Sequence, residues 1–553
     1  MGADGAAAGS GKGARWEAGH RLLSRVLRMS TGGRELVEAE LQTVLRDIGA
    51  DGADLRLERP ADPAHGDYAS AVALGLARQL RQPPRAIAEQ IAGGLDSPLV
   101  DAAEVAGPGF VNLRLSHEWY RRAVDAVLDA GARYGAGAPT GRRIQVEFVS
   151  ANPVGPVTVG SARNAAYGDS LARLFSFAGD EVSREYYFND AGRQIDLFGA
   201  SLKARASGLE PPEDGYQGEY VTELAAQIGL SPDASAEEWA AAGIEAMMAE
   251  IRNVLAEFRV GFDSWFLERS LHDDGSVERA IERVRAGGYA FEQDGALWLR
   301  TTDFGDDKDR VVLRSDGRPT YFAGDIAYVA SKLERGFDTA VYVLGADHHG
   351  YVSRLKAAAA ALGYDPDRIE VQIYQLVHLA GGKMSKRAGR IVTLQDLIDA
   401  IGVDASRFAL VQRSHDQTVE LDLDLLAEQN SENPVYYCQY AHARISGIVR
   451  NAPDGASARP AESWQPEASE RALVLALAEF PWLVGDAVAR RGPHRFATYA
   501  QDTARLFHQF YNRCRVLGEA PDVEASRLAL CAATARVLAT SLDLIGVDAP
   551  ERM

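Results

Sequence analysis

From Gly141 to about Gly389 the chain alternates short β-branched apolar runs with longer helix-periodic ones, and no other feature restricts its fold as much. RRIQVEFVSA (residues 142–151) reads as a strand. It runs through a Pro/Gly loop into the helical ARNAAYGDSLARLF (162–175), and EVSREYYFND (181–190), TAVYVLGAD (339–347) and RIEVQIYQLVHL (368–379) read as further strands. Strands separated by helical crossovers pair in parallel, so this stretch predicts an α/β, Rossmann-like domain that binds ligands beyond the carboxyl ends of its strands. Between about Ile195 and Arg300 the pattern turns helical and acidic, which reads as an insertion into that domain.

The flanking sequence adds further parts. Residues 1–32 are low-complexity and read as a flexible extension. Residues 33–115 combine helical ELVEAELQTVLRDIG and PRAIAEQIAGGL with β-rich GFVNLRL, an α+β unit, and 116–140 form a helical connector. The nucleotide-binding domain then spans 141–393, and 394–553 read as an all-α bundle, with apolar i, i+3, i+4 spacing in VLALAEFPWLVGDAVA and LALCAATARVLATSLDLIG. No run of about 18 apolar residues and no signal-peptide pattern occurs, so neither a membrane partner nor export is expected. Cys438, Cys514 and Cys531 form no CxxC pair, which favours a reducing compartment, hence the cytoplasm, and disfavours a cysteine zinc site. The net charge of −19 argues against nucleic acid in the far field, but a local basic groove remains compatible with phosphate. From Tyr440 onward every fixed positive charge is arginine, which suits bidentate contacts to phosphate and base edges; high-GC codon usage would leave the same trace.

Three short segments carry candidate chemistry. GGKMSKRAG, Gly381–Gly389, places Lys383, Lys386 and Arg387 on a glycine-flanked loop able to close over a triphosphate; composition alone favours a solvated basic loop. PTYFAGDIAY, residues 319–328, puts Tyr321 and Asp325 four apart on one helical face, an acid and a ring able to hold a guanidinium and its aliphatic stem, or simply a core tyrosine and a helix-terminal acid. Asp347, His348 and His349 follow the strand that ends at Gly345; with no third ligand cluster nearby in sequence, no metal is assigned. Asn189 and Asp190 read as helix caps.

Taken in order, these segments resemble the arginyl-tRNA synthetases, a class I aminoacyl-tRNA synthetase family. GGKMSKRAG matches the KMSKS signature, and EFVSANPVGPVTVGSARNAAYGD (147–169) resembles the region of the HIGH signature. The resemblance extends to GDYASAVALGLAR, GPGFVNLRL, YYFNDAGRQI, NPVYYCQYAHARI and the terminal LIGVDAPERM. It implies ATP-dependent ligation of L-arginine to tRNA-Arg through arginyl-adenylate, with Mg2+ accompanying ATP, by a cytoplasmic monomer. Residues 33–115 would contact the tRNA elbow and the helical bundle would read the anticodon. Lys383 and Lys386 would stabilise phosphate charge; Gly160, Gly345, Asp347, Met384, Ser385 and Arg387 would bind ATP. Glu147, Ser150, Asn152, Tyr321, Asp325 and His348 would hold arginine; Tyr440 and Arg444 would meet tRNA. The sequence departs from the family where His-x-Gly-His is usual: Thr158 and Ser161 stand in place of both histidines and only Gly160 remains. A hydroxyl carries no positive charge, so adenylate formation is expected to be slowed. The same departure motivates two other readings, a tRNA-binding accessory protein without ligase activity and a duplicate serving a specialised pathway.

Overall fold

The computed structural model describes residues 32–190, 192–380, 392–453 and 459–553. The chain forms two compact units. Residues 139–433 with Leu544–Val547 make one; residues 32–138 with Pro434–Asp543 and Asp548–Met553 make the other.

The first unit is built on β1 (Arg143–Glu147), α1 (Val159–Phe177), β2 (Glu181–Phe188), α2 (Arg193–Ala206), β3 (Ser264–Leu267), α3 (Tyr321–Glu334), β4 (Thr339–Gly345), α4 (Tyr351–Ala361), β5 (Ile369–Tyr374) and α5 (Leu394–Val411). The five strands pair in the order β5-β4-β1-β2-β3, all parallel, as the alternation predicts. The chain winds outward from β1 through β2 to β3, then crosses to build β4 and β5 on the other side. A crevice therefore opens between the carboxyl ends of β1 and β4. In β1 the side chains of both faces are covered, from Ile144 and Val146 to Gln145 and Glu147. Against it packs α1, whose run of Ala162, Ala165, Ala166 and Gly168 lets helix and strand approach closely. A Cβ on Gly168 would lie 2.3 Å from the Phe148 ring, just past β1.

Three differences from the sequence reading stand out. The stretch 195–300 is not wholly helical: helices Glu219–Ile228 and Ala236–Glu257 fit, but β3 is the edge strand of the main sheet, and Ala296–Leu299 pairs with Ala290–Gln293 on one side and Arg310–Leu313 on the other in a small antiparallel sheet. Only four residues of β3 pair, too few to show a period. The segment from 394 is not all helix, since Val419–Asp422 pairs in parallel with Val377–Ala380, and residues 394–433 fold with the sheet unit rather than with the bundle. The N-cap of α2 is Gly192 rather than Asn189 or Asp190, while the Asp190 carboxylate accepts the Arg269 backbone N–H in the first turn of the helix Glu268–Asp273.

Far along the chain, Leu544–Val547 return to this unit. Arg407 of α5, fully buried, donates to the Ile545 carbonyl at 3.0 Å, the Phe258 carbonyl at 2.8 Å and Asp169 of α1 at 2.6 Å. Gly546 lies so near that a Cβ would sit 2.2 Å from the guanidinium.

In the second unit, an antiparallel sheet of Tyr68–Ser70, Phe110–Leu115 and Val100–Ala106 and the helices Gly33–Asp47 and His117–Ala130 share a core with five helices from Pro434 onward. Arg34 pairs with Glu479 at 2.7 Å, Tyr68 donates to the same carboxylate, and the Trp119 indole N–H donates to the Gly33 carbonyl. One helical stretch, Ala468–Arg490, is long and apolar enough to cross a membrane by length and composition, but 78% of that window is buried in the protein and its two helices abut at Glu479. All three cysteines are buried and unpaired, and burial pushes the Cys531 thiol up to about 12.

Replacing Gly168 with alanine forces the Phe148 ring away from α1. The expected loss is about 1–3 kcal/mol, read as a lower denaturant midpoint at unchanged m-value.

Candidate active site

Burying Glu147 at the carboxyl end of β1 requires a counter-charge, and Lys332 supplies it. Two turns beyond Asp325 on α3, the Lys332 ammonium is fully buried, ion-paired to Glu147 and set against the rings of Tyr342 at 3.7 Å and Tyr328 at 4.3 Å. Next to it Glu185 of β2 accepts from Tyr328 at 2.6 Å and is clasped by both terminal nitrogens of Arg335. Two acids and two bases thus balance beneath the crevice.

Above them the balance fails. Asp325 feels both Glu268 and Glu147, and burial with those like charges pushes its carboxyl up to about 7; Arg354 offsets only part of this. The Glu268 carboxylate lies against Gly324, and Tyr187 of β2 hydrogen-bonds Glu268. The crevice carries surplus negative charge, a setting that a bound guanidinium would neutralise.

The chain leaving β1 borders this pocket. Ser150 donates from Oγ to Glu147 Oε1 at 3.0 Å and accepts the Tyr187 N–H at 3.2 Å. Asn152 stands apart from Glu147: its amide donates to Gln194 and its carbonyl oxygen accepts the Asn189 N–H. Tyr321, at the first position of α3, is 72% exposed. Gly345 ends β4, and past it Asp347 and His348 approach to 3.1 Å with both side chains substantially exposed.

At the N-terminus of α1, Thr158 is the N-cap and its hydroxyl accepts the Ser161 N–H at 3.3 Å; Ser161 Oγ lies at the same distance. Of the two hydroxyls that replace the expected histidines, that of Thr158 therefore caps the helix and that of Ser161 bonds to it. Gly160 leaves the first turn bare. The first turns of α1 and α5 are laced together: Val159 N–H donates to Val392 O at 3.1 Å and Leu394 N–H to Val157 O at 2.7 Å. One turn further along, the buried Arg163 of α1 donates to the carbonyls of Gln375, Leu376 and Ser414. Lys383, Met384, Ser385, Lys386 and Arg387 lie outside the described residues, but the chain on either side of them is tied to α1.

In the helical unit, Tyr436 stacks on Tyr440 (6.1 Å, 8°), Tyr440 on His508, and the Arg444 guanidinium sits over the rings of Tyr440 and Tyr511. Tyr440 is 37% exposed, so part of this ladder faces solvent. The group of potential metal ligands Glu467, Glu470 and Cys514 is occupied by a cation already, since Arg527 bonds both carboxylates at 2.8 Å.

Sequence reading passed over Lys332, Glu268, Tyr187 and Asn164. Lys332 had a signal, being seven residues beyond Asp325 on one helical face. Glu268 had none, because it follows an edge strand of four residues.

If Asp325 titrates near 7 in the empty site, a guanidinium ligand must displace its proton at lower pH. Affinity for such a ligand should be level above pH 7 and fall by about tenfold per pH unit below it, measurable by calorimetric titration from pH 5.5 to 8.5. Replacing Asp325 with asparagine should flatten that profile.

Comparison with known proteins agrees with this arrangement. The profile described as "Arginyl tRNA synthetase N terminal domain" matches residues 34–115. "tRNA synthetases class I (R), catalytic domain" matches 123–213 and 238–449, and "DALR anticodon binding domain" matches 438–553. Arginine--tRNA ligase of Frankia alni is 49% identical over 522 residues, covering 90% of this chain and 94% of the relative. Among solved structures, the Thermus thermophilus arginyl-tRNA synthetase superposes with a TM-score of 0.76 at 24% identity, covering 94% of this chain and all of the other. The Plasmodium falciparum arginyl-tRNA synthetase gives 0.72 at 15% identity, covering 94% and 99%. These two likenesses speak for the fold. With profiles along nearly its whole described length and a relative at 49% identity, the chain belongs to the arginyl-tRNA synthetase family of class I aminoacyl-tRNA synthetases.

Proposed function

We propose that the crevice between β1 and β4 binds L-arginine with its guanidinium on Asp325, its α-ammonium on Glu147 and Ser150, and its carboxylate toward the N-terminus of α1. The chain ligates arginine to tRNA at the expense of ATP, as its family membership establishes. The observation that supports this placement of arginine is the acidic pocket of Asp325, Glu268 and Glu147, where burial and those like charges push the Asp325 carboxyl up to about 7 and Arg354 offsets only part of it. A planar guanidinium meets a carboxylate bidentately, which an ammonium cannot. Tyr321 would flank the stem of the substrate. Asn152 and His348 would lie further from the reacting carboxylate.

In the first step an oxygen of the arginine carboxylate attacks the α-phosphorus of ATP. The α–β anhydride bond breaks, and arginyl-adenylate and pyrophosphate form. Mg2+ would enter with ATP as counter-ion of the triphosphate. Gly160 and Gly345 would leave room for the nucleotide, and Asp347 would meet its ribose. The Gly160 N–H, in the first turn of α1, would face the α-phosphate. Lys383 and Lys386, with Met384, Ser385 and Arg387, would cover the departing pyrophosphate. In the second step a 3′-terminal ribose hydroxyl of the tRNA takes the arginyl group and AMP leaves. Tyr440 and Arg444 are placed by this reading at the anticodon, as a stacking face and a phosphate contact. Residues 33–115 would meet the tRNA elbow, and the enzyme would act as a cytoplasmic monomer, a location suited to three unpaired thiols.

Of the twenty amino acids offered with purified tRNA, only arginine should be attached. Asp325→Ala should lower that rate by on the order of 10²–10³, and an unchanged rate would overturn the placement. Thr158→His should speed tRNA-dependent ATP–pyrophosphate exchange while costing about 1 kcal/mol of stability through the lost cap; no gain in exchange would refute the role given to this position.

A further inference from the structure

Just past β1, Val149 and Ser150 both adopt positive φ, +67° and +44°. Among the described residues Val149 is the only β-branched one in that region. Branching at Cβ makes such a backbone costly, so it persists only where its surroundings fix it.

Val149 itself is held by Asn164, buried on the face of α1 turned toward the sheet and 4% exposed, while beyond it the Tyr186 hydroxyl accepts the Ala151 N–H and donates to the Ala151 carbonyl. Asn164 Oδ1 accepts the Val149 N–H at 3.0 Å, and its Nδ2 donates to the Val343 carbonyl of β4 at 3.0 Å. The Tyr374 hydroxyl of β5 also hydrogen-bonds this side chain. One carboxamide thus spans the two strands that flank the crevice. The acceptor and donor it needs are on opposite ends, so neither aspartate nor a flipped amide serves both. The strained turn has a definite product: it brings Ser150 Oγ back to Glu147 and under the Tyr187 N–H.

We propose that Asn164 is a positioning residue for the amino-acid site, holding Val149 in its left-handed conformation so that Ser150 and Glu147 together face the substrate's α-ammonium. The proposal rests on the assignment of Glu147 and Ser150 to that ammonium. Without Asn164 the turn relaxes to negative φ, and the Ser150 hydroxyl leaves Glu147. Glycine at 149 has no such preference and would hold the turn unaided.

The test is a set of full-length variants, N164A, N164D, V149G, V149G/N164A and S150A, assayed for the KM of arginine and of ATP in tRNA-dependent ATP–pyrophosphate exchange, with Tm recorded for each. N164A should raise the KM for arginine by about tenfold or more and leave that for ATP within about twofold. N164D, which keeps the acceptor and turns the donor into a repulsive carboxylate, should behave likewise. In the V149G background, the N164A increase in arginine KM should shrink to about threefold or less. An unchanged arginine KM in N164A, or an equal increase with valine and with glycine at 149, overturns the proposal. Should N164A not fold, N164D and V149G/N164A decide it: similar large increases in arginine KM in both would overturn it, and recovery in the double variant supports it. S150A separates the premise: if it leaves the arginine KM unchanged, the α-ammonium assignment itself fails, whereas a raised KM in S150A beside an unaffected N164A refutes only the role of Asn164.

Discussion

Glu147 closes the central strand with a carboxylate that is 5% exposed, and the catalytic unit is arranged around keeping that charge tolerable. An unpaired ion at such a place would take up a proton or unfold its surroundings. Lys332 prevents this from α3, and its ammonium is in turn walled by Tyr328 and Tyr342 rather than by water. Because Lys332 and Asp325 belong to one rigid helix, the pair that satisfies Glu147 also sets how far Asp325 stands from it. The buried pair therefore works as a spacer. It fixes one end of the crevice as electrically neutral and leaves the other short of a cation.

The same logic explains the N-terminus of α1. Thr158 takes the capping role and joins the helix start to the β-bridge with Thr393, so this corner gains order from a residue that brings no positive charge. The capping box at Thr393 and Asp396 does the same for α5. Two well-made helix ends side by side give a firm floor to this side of the crevice.

Much of this was readable in the chain. The parallel sheet followed from alternation of periods, whereas the spacing of Asp325 and Tyr321 fitted a core tyrosine and a helix-terminal acid as well, and only the resemblance pointed it at arginine. What escaped was set by tertiary contact. Glu268 reaches the pocket from a strand too short to leave a pattern. Asn164 lies in a helix buried nearly all round, where a polar residue has no face of its own to mark it. The helix-capping hydroxyl of Thr158 was visible as a residue, but its capping role depends on a backbone conformation that no spacing encodes. The boundary drawn at 394 failed because Leu394–Val411 is amphipathic in the same manner as the bundle helices, yet turns its apolar side to α1.

The return of Leu544–Val547 to the sheet unit bears on how the protein is made. Arg407 has its Ile545 acceptor only once the chain has been extended more than a hundred residues beyond Asn433. Until then a fully enclosed guanidinium lacks one of its three partners, and the space beside Gly546 stands open. During synthesis on the ribosome, the sheet unit must wait for the helices that follow it before its own interior can close. A nascent chain cut short within Pro434–Asp543 would leave that interior incomplete, so prematurely terminated products are marked for unfolding at the very unit that performs the chemistry.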